Sequence, residues 1–222
     1  MLAKKVLYFL DKAIILCRIS GFKVFIRKIL RHMYHISRFI RLELDLDSTV
    51  PKISSSVDFY LELALPEDIR NLLEIAKNSS SDTSYELVDR KFFYDSGFHE
   101  CYIGKTKAAN EPCYLGWLLS TKKHPELQLK EDEVLLYNLF VFEKYRGKGV
   151  SSSADAQLCE IARKNGFRRA VVYPLRNNPA AVRALKKIGF TEKGIRTDLH
   201  FAFLVKRTFK CTINSECGLE SK

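Results

Sequence analysis

Tyr145-Arg146-Gly147-Lys148-Gly149-Val150-Ser151 stands just past the apolar run 133–142, EVLLYNLFVF, with Glu143-Lys144 between them. The run is rich in Val, Leu, Phe and Tyr and free of Pro and Gly, so it reads as a buried strand. Beyond the glycines, Val150, Ala154, Leu158, Ile161 and Ala162 recur at helical spacing, and Gly166 supplies a stop. The local order is strand, glycine loop, helix. Two glycines let the backbone turn tightly and leave its N–H groups unscreened. With the positive end of the helix they make an anion seat of the kind that holds a pyrophosphate.

Two common phosphate loops do not match. The string G-x-x-x-x-G-K-[ST] is absent. A dinucleotide fingerprint needs a third glycine where Ser152 stands and an acid at the end of the next strand. That strand, 168–173 (RRAVVY), runs instead into Pro174-Leu175-Arg176. Arg146-x-x-Gly149-x-Ser151 does resemble the R/Q-x-x-G-x-G/A signature of the GCN5-related N-acetyltransferase (GNAT) superfamily. Asn178-Pro179-Ala180-Ala181 followed by Lys187-Ile188-Gly189-Phe190 resembles its second signature, N-x-x-A…K-x-G-F. The resemblance covers residues 57–209. It implies a mixed α/β fold whose central, mostly antiparallel sheet splays at one parallel strand pair and is flanked by helices.

Composition sets the bounds. A chain of 222 residues, 46% apolar, can bury one full core and carry an appendage. Six cysteines without a C-x-x-C pair and five histidines suggest neither a disulfide scaffold nor a zinc cluster, so a reducing, cytoplasmic setting is expected and no metal. The net charge of +11 is uneven: residues 1–41 hold ten Lys/Arg and one acid, Asp11, leaving 11 − 9 = +2 for the other 181.

In that front segment, Asp11 and Lys12 interrupt the only signal-like apolar run, and no run reaches the ~18 apolar residues of a spanning helix. Phe22, Phe25, Ile29, Met33, Ile36 and Ile40 mark one helical face, with Lys23, Arg27, Arg31 and Arg38 on another. A basic amphipathic helix of this kind suits an anionic membrane surface, an acidic acyl carrier protein, the chain's own domain or a second copy in a homodimer. Nucleic acid ranks last, because no aromatic-interleaved module accompanies the charge. His32 and His35 read as solvated helix residues. The alternating RLELDLD at 41–47 predicts a half-exposed strand, and Pro51 to Ser56 a linker. The expected organisation is a basic helical extension with one short strand over 1–47, a linker over 48–56, an acetyltransferase domain over 57–209 and a polar tail over 210–222.

Within the domain a strand over 57–65 leads into a helix opened by Pro66-Glu67-Asp68. Thr83-x-x-Glu86 is read as a capping box starting a second helix, stopped near Gly97. Paired strands at 98–105 and 113–121 then deliver the chain to the central strand. The strand, helix, strand passage from 133 to 173 predicts a right-handed parallel crossover.

The resemblance assigns the chemistry. Acetyl-CoA is the implied acyl donor, its pyrophosphate held by the N–H groups of Gly147, Lys148, Gly149, Val150, Ser151 and Ser152 and by the Arg146 cation. Backbone groups of Leu139 and Val141 would bind the pantetheine arm and polarise the acetyl carbonyl, and the Asn178 side chain would touch pantetheine or serve as a helix cap. The implied reaction is direct attack of an acceptor amine, on a small molecule or a glycan, in a ternary complex. Longer acyl donors, carried by CoA or a carrier protein, and a non-catalytic CoA-binding adaptor are the alternatives. Many members carry a tyrosine that protonates the departing thiolate, where this chain has Leu185; Tyr173, Tyr137 or solvent are left to supply that proton. Asn138 and Leu135 occupy base positions and cannot serve as bases. Glu133, counted in two-residue steps from Val141, is the expected base, with His124 behind it. A covalent route through Cys101, Cys113 or Cys159 needs an activated thiolate.

Overall fold

Alternation of apolar and polar residues, more than any helical period, governs the first well-described element. The computed structural model describes residues 14, 15, 17–19, 26, 34–125, 127, 129–201 and 205–212. Strand β1 runs Tyr34–Asp45 and turns Leu42 and Leu44 into the core. The helix expected to continue through Ile36 and Ile40 is therefore corrected from Tyr34 onward. The physical reason is pairing. Arg38 and Ile40 find backbone partners in residues 174–176, and a strand ladder overrides a three-four apolar spacing. Of the rest of the basic front segment, the described residues 14, 15, 17–19 and 26 are helical, and the remainder of that expectation lies outside the described residues.

The chain then forms β2 (Phe59–Leu63), α1 (Pro66–Lys77), α2 (Ser81–Asp95), β3 (Cys101–Thr106), β4 (Pro112–Leu119), β5 (Glu133–Val141), α3 (Val150–Lys164), β6 (Arg169–Val172), α4 (Pro179–Ile188), β7 (Thr191–Phe201) and β8 (Val205–Thr212). The strands make one sheet in the order β2-β3-β4-β5-β6-β1-β7-β8. β5 and β6 are parallel, joined by the crossover through α3, while β2-β3, β3-β4, β4-β5 and β1-β6 are antiparallel. The expected mixed sheet with its parallel pair is present. The boundary expected at 48–56 is not: β1, ahead of it, sits inside the sheet beside β6. The tail likewise starts later than expected, since β8 reaches Thr212.

Two compact units result. One comprises residues 1–35, 64–99 and 200–205, in which α1 and α2 pack on each other. Pro66 occupies the first turn of α1, and the Asp68 carboxylate accepts the Leu65 N–H at 2.9 Å. α2 opens two residues before Thr83, so the expected capping box lies within the helix rather than at its start. Its start is tied down by Ser84, whose hydroxyl donates to the Ala76 carbonyl at 2.5 Å and the Ser80 carbonyl at 2.9 Å. The other unit comprises 36–63, 100–199 and 206–222, and contains every residue of the candidate site. No described helix is long and apolar enough to cross a membrane.

Candidate functional site

The site begins where two parallel strands part. The β5-β6 register runs from Glu133↔Arg169 to Leu136↔Val172 and ends there. β1 draws β6 away. Beyond Leu42↔Val172 the chain after β6 stays with β1, through Ile40 N–H to the Pro174 carbonyl (3.0 Å), a Phe39↔Leu175 bridge, and Arg176 N–H to the Arg38 carbonyl (2.8 Å). β5 meanwhile stays with β4 as far as Tyr114↔Val141. A fork opens between residues 137–141 and residues 173–176.

Inside the fork β5 carries a bulge. Leu115 faces Phe140 and Trp117 faces Tyr137, which leaves Asn138 and Leu139 both opposite Gly116. Asn138 has φ +56°, a left-handed conformation that asparagine tolerates better than most side chains. Phe142 N–H donates to the Cys113 carbonyl, so alternation turns the Val141 backbone groups to the open edge of the fork. There the Val141 carbonyl accepts Arg146 Nε at 3.1 Å, while the Arg146 guanidinium lies 5.6 Å from the Phe140 ring centre. Arg146 thus ties the loop to the strand end expected to bind pantetheine.

The bulge also overturns a side-chain assignment. By register, Glu133, Leu135, Tyr137 and Phe140 share one face of the sheet, and Val141 falls on the other face with Tyr114 and Leu136. Glu133 is therefore not on the face of Val141, because one extra residue inverts the alternation.

The glycine loop is built as a cradle. A 3-10 turn at Glu143–Tyr145 is held by Glu111, which accepts Tyr145 OH at 2.7 Å and pairs with Lys144 at 2.5 Å. Gly147 (φ +75°) and Gly149 (φ +78°) take the left-handed turn, and Gly149 caps α3. A Cβ at Gly149 would stand 3.1 Å from the Ser54 carbonyl, whereas one at Gly147 would meet nothing within 4 Å. Behind the loop, the Lys148 carbonyl accepts Ser56 N–H (3.1 Å) and the Ser55 hydroxyl (3.0 Å). The segment expected as a linker is thus the back wall of the seat. The first turn of α3 carries no acid, unlike that of α1 with Glu67 and Asp68, so its positive end keeps its attraction for an outside anion. Arg146 and Lys148 add two cations. The hydroxyl of Ser151 donates inward to Asp155 Oδ2 at 3.1 Å. Ser152 is buried.

Elsewhere the candidates separate. Asn178 Oδ1 accepts Ala181 N–H at 3.2 Å, the helix-cap role. Leu185 is buried on the inner face of α4 and holds no proton. Tyr173 is the first residue past the parallel register and stands at the fork. Its hydroxyl accepts from Arg41 Nη1 at 2.9 Å, and the Arg41 and Arg196 guanidiniums lie 5.9 and 5.5 Å from its ring centre. Burial pushes the Tyr173 phenol up, against the pull of those two cations. Tyr137 is 45% exposed on the same face.

Glu133 lies at the far, starting end of β5, only 2% exposed. It is pinned between Arg169 (3.3 Å) and Arg41 (3.4 Å) and accepts the Lys130 N–H at 3.1 Å. This lashes the starts of β5 and β6 to β1. His124 is at that far end too, with Nε2 2.9 Å from Glu100 Oε2. Cys101, Cys113 and Cys159 are buried; burial pushes the Cys113 thiol up to about 11 and the Cys159 thiol well above its ordinary value, the opposite of nucleophilic activation. Among the described residues no three His, Cys, Asp or Glu side chains cluster as metal ligands.

A fork beside a glycine cradle is the arrangement that the two sequence signatures imply, and comparison with known proteins agrees. The profile of the acetyltransferase (GNAT) family matches residues 67–190. The chain belongs to that family. Its GNAT domain is similar to the uncharacterized N-acetyltransferase YycN of Bacillus subtilis, 31% identical over 86 residues, 39% of this chain and 53% of that protein. It is also similar to the uncharacterized N-acetyltransferase YdgE of the same organism, 31% identical over 80 residues, 36% and 48%. The chain thus spans about half the length of these relatives. Among solved structures, the GCN5-related N-acetyltransferase of Sphaerobacter thermophilus shares the fold with a TM-score of 0.52 at 12% identity, over 79% of this chain and 56% of that one. The GCN5-related glucosamine N-acetyltransferase region of a fungal multi-domain GH3 β-N-acetylglucosaminidase does so at 0.56 and 11%, over 75% and 22%.

Three parts of this GNAT domain are not legible in the residue order: the place of β1, the wall at 54–56, and the buried Tyr114–Asp155 pair beneath the loop. Asn138 in an otherwise apolar strand is the local signal of the bulge.

Proposed function

We propose that this GNAT domain transfers an acetyl group from acetyl-CoA to an amine. The observation that carries the proposal is the adjoining of a glycine cradle, with an acid-free helix start and two cations, to a strand fork whose open edge presents the Val141 backbone. The diphosphate sits on the amides of residues 147–152 beside Arg146 and Lys148. The pantetheine arm extends along 139–141 into the fork, with Asn178 across from it. The amine nitrogen attacks the thioester carbonyl carbon, the carbon–sulfur bond breaks, and the amine proton passes to water at the open fork. Tyr173, at the fork, returns a proton to the departing thiolate, a good leaving group near neutrality since thiols titrate at ~8.5.

Titration calorimetry with CoA, together with CoA release from acetyl-CoA in the presence of a panel of amines, tests this. Binding lost in Gly149→Glu, with amine-dependent release by the parent chain, is the expected result. No heat with CoA, or a Gly149→Glu chain that binds like its parent, overturns it. Mass spectrometry of CoA species retained on purification identifies the acyl group, and a long-chain thioester there would replace acetyl in the reading.

A further inference from the structure

Beneath the loop, Asp155 of α3 is 1% exposed, and among the described residues its side-chain partners are hydroxyls. Tyr114 OH donates to Oδ1 at 2.5 Å and Ser151 Oγ to Oδ2 at 3.1 Å. The fold makes room for this. A Cβ at Gly116 would stand 2.5 Å from the Tyr114 hydroxyl and 2.9 Å from Leu158 Cδ1, so only glycine lets Tyr114 reach the helix. The titratable groups facing the carboxyl are Tyr114 from β4 and Cys159 one turn along α3, with Cys101 of β3 behind Tyr114; none of these is a cation. Burial pushes Asp155 up to about 7 and pushes Tyr114 and Cys159 well above their ordinary values. Asp155 is therefore the member of the cluster that changes charge near neutrality.

We propose that Asp155 is a positioning residue for the diphosphate seat, acting through the Ser151 hydroxyl in its uncharged, carboxylic acid form. This rests on the CoA reading above. With its proton on Oδ2, Asp155 donates to Ser151 Oγ. A serine hydroxyl rotates to suit its neighbours, and its own O–H is then free to turn outward and donate to a phosphate oxygen. When Asp155 gives its proton to water, the carboxylate takes the Ser151 O–H as donor. The seat then loses that donor, and a buried negative charge stands one helical turn behind the diphosphate. Diphosphate binding accordingly takes up a proton.

The experiment is calorimetry of the full chain with 3′-dephospho-CoA, whose diphosphate has no proton to lose between about pH 5.5 and 8. Affinity of the parent should fall about tenfold across that range. In Asp155→Asn the side-chain amide still donates to Ser151 Oγ, so affinity should stay flat, near the acid-side value of the parent. Ser151→Ala should bind weakly throughout and lose most of the pH dependence. Repeating the parent titration in two buffers of different ionisation enthalpy reads proton uptake directly, and approach toward one proton per ligand above neutrality is expected. Zero uptake, or an Asp155→Asn profile that tracks the parent, overturns the role of Asp155 and leaves the CoA reading intact. Absence of binding at every pH overturns both. Should Asp155→Asn fail to fold, the uptake measurement on the parent decides.

Discussion

The backbone N–H of Ile40 donates to the carbonyl of Pro174 at 3.0 Å, two residues past the last β6 position paired with β5. That bond, with those at 38–39 and 175–176, is what bends the chain after β6 away from β5 and opens the fork.

Ile40→Pro removes the donor from a paired strand and should cost about 1–3 kcal/mol. Ile40→Ala keeps the N–H and serves as the control. Thermal melts should show the larger loss for proline, and CoA affinity of the folded fraction should fall more for proline than for alanine. Equal CoA affinity of the two variants would show that the fork does not depend on β1.

Gly147 and Gly149 share a left-handed φ but differ in surroundings. Alanine at either should cost about 1–2 kcal/mol in backbone strain. Gly149→Ala must in addition push back the Ser54 carbonyl, 3.1 Å from the new Cβ, and so disturb the back wall. Denaturant titration and CoA affinity should both rank Gly149→Ala as the more damaged.

The raised carboxyl of Asp155 makes stability depend on pH with a definite sign. Its ordinary value is 3.8 and its folded value about 7, so between these the folded state binds more protons than the unfolded one. Stability is highest below the lower value and is lost as pH rises through about 7. Urea unfolding at about pH 5 and 8 should show the parent weaker at the higher pH by roughly 1–4 kcal/mol, with the slope reduced in Asp155→Asn.

Glu133→Gln discards a buried charge that holds Arg41 and Arg169. A stability loss of about 1–3 kcal/mol is expected, while amine-dependent CoA release by the folded variant stays within about threefold of the parent. A large fall in release with unchanged melting would make Glu133 the base after all. Tyr173→Phe has the opposite expectation: release slowed by about tenfold or more, with a small change in melting.

The buried thiols should be slow. Peptide mapping after brief alkylation of the native chain should leave Cys101, Cys113 and Cys159 unmodified, and unfolding should expose all three. Rapid labelling of any of them in the native state would reopen a covalent route.

Local chemistry is what the amino-acid order alone could specify. The loop and its helix are set by glycines at 147 and 149 followed by a 150/154/158 apolar stripe, and α4 by Asn178-Pro179 at one end and Gly189 at the other. Each rests on interactions among residues a few positions apart, which is why residue order alone makes the anion seat readable. The fork, the wall and the face of each β5 side chain are not readable in that way. The fork depends on residues 38–40 meeting 174–176, the wall on residues 54–56 meeting Lys148, and the switch of faces on Gly116 standing opposite two residues of β5. Strand pairing joins backbone groups that nearly every residue carries, so little in the side-chain sequence marks which segments will meet. A single unpaired residue then inverts the alternation from which faces are counted. Composition and spacing laid out the glycine loop and the helix that follows it; long-range pairing alone decided where the strands part above it.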